Sequence, residues 1–274
     1  MPAVDLTRLA HQIHHVTEAF SDPARLRSRC LDLLEFYGSR VRPSYRSGRS
    51  ASVRSFGVPP GVMRAVQQAL EDRAAADPYA GSMAAEILWA TPVLEARWLA
   101  VALLEHQPLD GLANWIADWS ETAQDSMLLE RLAAGPVRRL WRTGPDLFWS
   151  SVGRSLAEEG PATVVTLLAL EDIVPDLEPD DLPRVFAALE SSPIPLAGDA
   201  WRAYIEVVRA CARRSPPETA HLLVEALEHA RPGATRLTRQ TMGEFPLPQR
   251  EALRQALRLG EAKSAPARSR PATP

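Results

Sequence analysis

The sequence predicts an all-α protein, an α-solenoid of stacked antiparallel helical hairpins. Three observations carry this expectation. Apolar residues recur three and four apart over most of the 274 residues, the spacing of one buried helical face. No segment reads as a convincing strand. Pro, Gly or Asp also interrupts the pattern at intervals of roughly 15 to 20 residues, short enough for successive helices to fold back on one another.

The elements follow in order. Leu6, Leu9, Ile13, Val16 and Phe20 make an amphipathic helix over residues 5 to 20. Ser21-Asp22-Pro23 starts a second helix, with Leu26, Cys30, Leu33 or Leu34 and Tyr37 inward and Gly38 as its stop. Ser39 to Pro60 is non-periodic and rich in Ser, Arg, Gly and Pro; a loop of that length inside a compact domain is functional or disordered. Met63, Val66 and Leu70 mark the next helix, and Asp77-Pro78 with Gly81 separates it from the stretch Met83 to Leu132 around which the chain is organised. There Thr91-Pro92 reads as a helix start, with Thr91 as cap and Pro92 at the first position, where its missing N–H costs nothing. Leu94, Trp98 and Val101, widened by Leu99 and Ala102, form that helix's stripe. Pro108 opens another carrying Leu112, Trp115, Ile116 and Trp119, and a fourth lies around Met127 to Leu132 with Asp125 near its start.

Beyond Leu132, Gly135-Pro136 and Gly144-Pro145-Asp146 each precede a helix. Gly160-Pro161 opens the apolar run Ala162 to Leu170, a buried helix, since a lone strand among helices has no partner. Residues 180 to 190, 199 to 213 and 216 to 230 repeat the pattern, the last capped by Ser215, and a final helix follows Pro248. The expected organisation is one repeat domain over residues 1–261 and a disordered basic tail over 262–274.

Composition narrows the function classes. No apolar run approaches the roughly 20 residues that span a bilayer, so no membrane partner is expected. The opening residues MPAVDLTRLAHQ lack a basic region followed by an apolar one, which points to the cytoplasm. Cys30 and Cys211 sit at apolar helical positions and read as buried thiols rather than a bridge. His11 and His15 share a face, yet no Glu or Cys completes a metal set at ligand spacing, and no cofactor or metal is expected. No phosphate-cradling glycine loop or nucleophile elbow is present. The net charge is −3, but between Phe36 and Leu70 stand Arg40, Arg42, Arg46, Arg49, Arg54 and Arg64 with no acid. That is a local electropositive surface suited to a polyanion; the alternative is a solvated loop in a chain whose basic residues are arginine throughout, Lys263 excepted.

Several short stretches suggest a family. Ser55-Phe56-Gly57-Val58-Pro59-Pro60 before a helix, Leu88-Trp89-Ala90-Thr91-Pro92 with Glu95-Ala96-Arg97, and Gln124-Asp125-Ser126 together resemble the HEAT-like-repeat DNA glycosylases of the AlkD type. Val208-Arg209 with Ser215-Pro216, then Leu247-Pro248-Gln249-Arg250-Glu251-Ala252-Leu253, is similar to that family's C-terminal end. The resemblance implies a right-handed α-solenoid of HEAT-like hairpins that binds double-stranded DNA as a monomer and excises cationic alkylpurines without flipping them out. A carboxylate beside the deoxyribose stabilises the developing oxocarbenium charge, tryptophans pack on the sugar and an arginine holds the phosphate.

Carried onto this chain, the resemblance assigns the catalytic carboxylate to Asp125. The tryptophan expected four residues earlier is Glu121, the arginine position falls near Pro161 or Ala162, and the second tryptophan falls on Glu206. Trp119, Trp149, Arg154 and Trp201 are candidates to fill these roles from shifted positions. DNA contacts are expected from Arg40, Arg42, Arg46, Arg49, Arg54, Arg64, Trp119 and Arg250, with Arg236, Arg239 and Arg254 as further phosphate contacts. Two functions remain open: a DNA-alkylpurine glycosylase, and a non-catalytic helical-repeat scaffold for a protein or an unusual DNA structure.

Overall fold

A computed structural model describes residues 5–38, 53–123 and 125–264, side chains of 261–264 excepted. The described residues are all-helical, with no strand among them. They form two compact units, Met1–Ser151 and Val152–Pro274.

The first unit contains α1 (Leu6–Glu18), α2 (Pro23–Tyr37), α3 (Pro60–Ala76), α4 (Pro78–Trp89), α5 (Leu94–Leu103), α6 (Leu109–Thr122), α7 (Ser126–Leu132), α8 (Arg138–Thr143) and the start of α9 (Pro145–Ala157). Asp5, Asp22 and Asp77 cap α1, α2 and α4, each carboxylate accepting from N–H groups of the first turn. Helices pack on their neighbours and on the next helix but one: α2 on α4, α3 on α5, α5 on α7. Helix α5 is central. Ala96, Leu99, Ala100, Val101, Ala102 and Leu103 are all buried, so it is covered nearly all round rather than along one stripe.

Three punctuation marks act differently from their sequence reading. Thr91 does not cap α5: its hydroxyl donates back to the Ile87 carbonyl at 2.8 Å, closing α4, and α5 begins at Leu94. A threonine after an apolar helix can serve either end, and here the first N–H of α5 is taken by another segment, the Leu94 amide donating to the Arg54 carbonyl at 2.8 Å. Gly81 lies inside α4, where a Cβ would sit 2.9 Å from Gln107 Nε2 and 3.0 Å from Ala74 Cβ; it is a close-packing glycine, not a break. Gly135-Pro136 also fails to end a helix, because α7 runs into α8 through a π-helical turn, Ala133–Val137, whose wider ring tolerates the missing proline donor.

The second unit contains the end of α9, then α10 (Pro161–Ile173), α11 (Leu182–Ser191), α12 (Gly198–Arg214), α13 (Pro216–Glu228), α14 (Ala234–Thr241) and α15 (Leu247–Ser264). The run 162–170 is the buried helix expected, within α10. Next-but-one packing recurs here, α10 on α12, α11 on α13 and α13 on α15. Ser215 precedes α13 without capping it; its hydroxyl donates instead to the Glu218 carboxylate. Helix α15 continues past residue 261, and residues 265–274 of the expected tail lie outside the described residues.

Arginine closes many of these helices. In the first unit Arg29 donates to the His15 carbonyl, Arg97 to Trp89 and Thr122, and Arg139 to Leu104. In the second, Arg209 donates to Gln240, Arg214 to Leu177, Arg231 to Leu189 and Ser192, Arg236 to Leu196, and Arg250 to Gly243 and Phe245. Except for Leu196, which lies in the turn before α12, these carbonyls lie in last turns or shortly beyond them, where the helix ladder leaves acceptors unpaired.

Candidate functional site

The arginine-rich segment is rooted in a strap, residues 53–59, held between the end of α2 and the start of α5. Arg54 and Val93 form an isolated parallel bridge. The next residues converge on one carboxylate. Glu95, 4% exposed, accepts from Ser55 Oγ at 2.8 Å, Phe56 N at 3.1 Å, Gly57 N at 2.7 Å and Val58 N at 3.5 Å. Gly57 has φ +68°, a left-handed conformation that lets successive N–H groups aim at one anion. Four donors satisfy a charge that would otherwise be prohibitive to bury.

On the other side, Gly38 meets the strap. A Cβ on Gly38 would lie 2.9 Å from the Phe56 carbonyl oxygen and 3.0 Å from Phe56 Cβ. The two described ends of the segment, Gly38 and Val53–Phe56, are therefore brought together. Arg54 projects from this root, its side chain 67% exposed, with the guanidinium 4.6 Å from the Phe56 ring centroid and 3.5 Å from the Glu35 carboxylate. Arg64 is exposed on α3. Arg40, Arg42, Arg46 and Arg49 lie outside the described residues.

The second feature of this unit is a tryptophan stack. Trp89 and Trp119 lie face to face at 4.4 Å between centroids with 3° between planes, and Trp115 continues the stack at 5.7 Å from Trp119. Trp89 Nε1 donates to Thr122 Oγ1 at 3.0 Å. Arg97 covers the end, 5.1 Å from the Trp89 centroid, with Nε bonded to the Trp89 carbonyl and Nη1 to that of Thr122, both at 3.1 Å. Burial pulls the Arg97 guanidinium below its ordinary value. Trp119 is thus 7% exposed and stacked with two other indole rings.

Asp125 follows this stack in the chain, at the start of α7. It is the helix N-cap, accepting from Met127 N at 2.8 Å, and is half-buried. Glu121, at the first tryptophan position of the resemblance, is exposed. A separate charged group lies where the π-helical turn meets the end of α5. A Cβ on Gly135 would sit 2.6 Å from Glu105 Oε1. Burial pushes the Glu105 carboxyl up and Glu71 adds to this, while His106, Arg139 and Arg131 act the other way.

The remaining candidates lie beyond these features. Trp149 makes an edge contact with Phe148, and Arg154 is exposed on α9. In the second unit Trp201 is 4% exposed beneath Arg236, and Arg250 holds two backbone carbonyls. Glu206 pairs with Arg209 at 2.6 Å. Arg236 also holds the Leu196 carbonyl, and Arg254 is exposed on α15. Both thiols are buried and free, and burial pushes each up to about 12. Among the described residues no group of His, Cys, Asp and Glu is arranged to hold a metal ion, and no helix is long and apolar enough to cross a membrane.

Sequence reasoning missed Glu95. Its signal is a lone acid beside Ala96 in a helix otherwise composed of apolar residues on its buried sides, an arrangement that calls for an internal set of donors. No family model, no curated protein and no solved structure matches this chain.

Proposed function

We propose that the chain is a DNA-binding helical-repeat protein of the AlkD-like type, acting on alkylated duplex DNA through Asp125. The observation that carries this reading is the setting of Asp125. Its carboxylate is half-buried and tied to the N-terminus of α7 by the Met127 amide, so its charge is held in one place without being enclosed. An anion fixed in that way can stabilise positive charge developing on a deoxyribose without reorganising during the reaction. An N-alkylated purine is already a good leaving group, so little further chemistry is required of the protein. Arg54 and Arg64, both exposed on the same unit as Asp125, supply phosphate contacts in this reading. The next-but-one helix packing within each unit supports the solenoid that the resemblance implies.

The test is release of 7-methylguanine or 3-methyladenine from alkylated duplex. Asp125→Asn keeps a side chain that caps about as well as aspartate and removes the charge, so it is expected to abolish release while leaving the fold intact. A wild-type chain that binds duplex in a salt-dependent manner and releases no base overturns the catalytic role.

A second reading is favoured by Trp119. Stacked with Trp89 and Trp115 and only 7% exposed, it offers little surface to a sugar. This supports a non-catalytic scaffold that kept the helical array. Absent or salt-insensitive DNA binding is its expected signature, because phosphate contacts release counterions and so weaken steeply with salt.

A further inference from the structure

We propose that Glu95 is a positioning residue for phosphate recognition, its buried carboxylate fixing the strap so that Arg54 is presented to a polyanion; this rests on the nucleic-acid reading above. The backbone of Arg54 is held from both sides. Its carbonyl accepts from the Leu94 amide at 2.8 Å, and the donors of the next four residues converge on the Glu95 carboxylate. The side chain is also preset. A planar guanidinium lying 4.6 Å from the Phe56 centroid loses fewer rotamers on meeting a phosphate than one free in solvent.

The anion beside Arg54 is Glu35, at 3.5 Å, with both side chains 67% exposed. An exposed ion pair is weak, so a phosphate chain can displace Glu35 and take its place on the guanidinium. Glu95 itself is 4% exposed. It therefore cannot touch a polyanion, and any effect it has on binding travels through the strap. One phosphate contact from Arg54 contributes about 0.9 to the slope of log K against log salt. That corresponds to about eightfold in affinity at 0.1 M salt.

The experiment is a salt series of duplex-oligonucleotide binding by the full chain and four variants. Arg54→Gln is expected to lower the slope by about 0.9, and Glu95→Gln to lower it by a similar amount. Arg54→Gln in the Glu95→Gln background is expected to change it no further. Glu35→Gln, which removes the competing anion, is expected to strengthen binding. General loosening of the fold does not reproduce this pattern, because its effect adds to that of Arg54→Gln instead of absorbing it. A folded Glu95→Gln chain with the wild-type slope, or additive effects in the double variant, overturns the positioning role alone. A wild-type chain whose binding is absent or insensitive to salt overturns the nucleic-acid reading and this inference with it. Where Glu95→Gln does not fold, Ser55→Ala removes one donor to the carboxylate. It is expected to weaken binding less than Glu95→Gln would, and wild-type affinity and slope in that variant overturn the inference.

Discussion

Arg97 fastens two helix ends with one side chain, and replacing it by lysine tests whether the geometry of the guanidinium matters or only its charge. Nε reaches the last carbonyl of α4 and Nη1 the last carbonyl of α6, both at 3.1 Å, while the planar group covers Trp89. Hydrogen bonds from charged donors contribute about 1.5–3 kcal/mol when fully formed and shielded. Arg97 is only half-buried, so about 1 kcal/mol for each bond is the better scale. A lysine ammonium is a point charge on a flexible stem and cannot hold two carbonyls on different helices with a fixed fork. Arg97→Lys is therefore expected to cost about 1 kcal/mol, and Arg97→Met, which keeps the apolar stem but no donor, about 2 kcal/mol. For a chain of this size these correspond to roughly 2–4 °C and 4–8 °C in Tm. Urea melts should show the midpoint falling in the order Arg, Lys, Met with an unchanged slope. Near-ultraviolet circular dichroism should report a loosened tryptophan stack in the same order. A lysine variant as stable as wild type, or less stable than the methionine variant, refutes the argument that a rigid fork is needed.

Other consequences are separable from this one. Asp125→Ala should destabilise by about 1 kcal/mol through loss of the α7 cap, whereas Asp125→Asn should be near neutral in the same melt; equal losses in the two variants contradict the capping role. Gly38→Ala should cost about 1–3 kcal/mol, because its Cβ would meet the Phe56 backbone carbonyl at 2.9 Å, and proteolysis near residue 53 should accelerate; a variant with wild-type stability and digestion pattern counts against the clamp. Burial pushes Cys30 and Cys211 from 9.0 up to about 12. A raised folded value means that their contribution is fully present below pH 9.0 and is lost as pH climbs toward about 12. Stability by urea melts should fall over that window and fall less in the Cys30→Ala/Cys211→Ala variant, and parallel curves would show that the thiols are not responsible.

The helices were legible because their buried faces are made of Leu, Val, Ile and Ala at helical spacing. Helix α14 was not. Its buried face is Ala234, Leu237, Thr238 and Thr241, the right spacing written largely in threonine, and an apolar-residue pattern passes over it. The Thr241 hydroxyl hides its polarity by donating to the Leu237 carbonyl at 3.0 Å one turn back. Gly135-Pro136 misled for the opposite reason. Those residues are strong breakers in isolation, and continuation through a π-helical turn depends on neighbours that the local sequence does not name.

The arginines show why a candidate site is harder to read than a fold. From sequence, an arginine looks like a surface charge available to a polyanion, and Arg250 is expected to act as one. In three dimensions Arg250 donates to the Gly243 and Phe245 carbonyls, and Arg209, Arg214, Arg231 and Arg236 hold other backbone oxygens. A carbonyl has no side-chain identity, so nothing in the sequence marks it as the partner. Helix ends are numerous in a chain of short helices, and each leaves acceptors that a planar fork can satisfy in pairs. That demand gives a structural reason for a composition with Lys263 as its only lysine. It also changes which cations can meet a ligand. An arginine whose Nη groups already hold backbone must release a helix end before it can hold a phosphate, whereas among the described residues Arg54 has an exposed carboxylate to release. Of the described arginines chosen from sequence, Arg54, Arg64 and Arg254 are exposed, and their replacement should weaken polyanion binding without lowering stability, whereas Arg250→Gln should do the reverse.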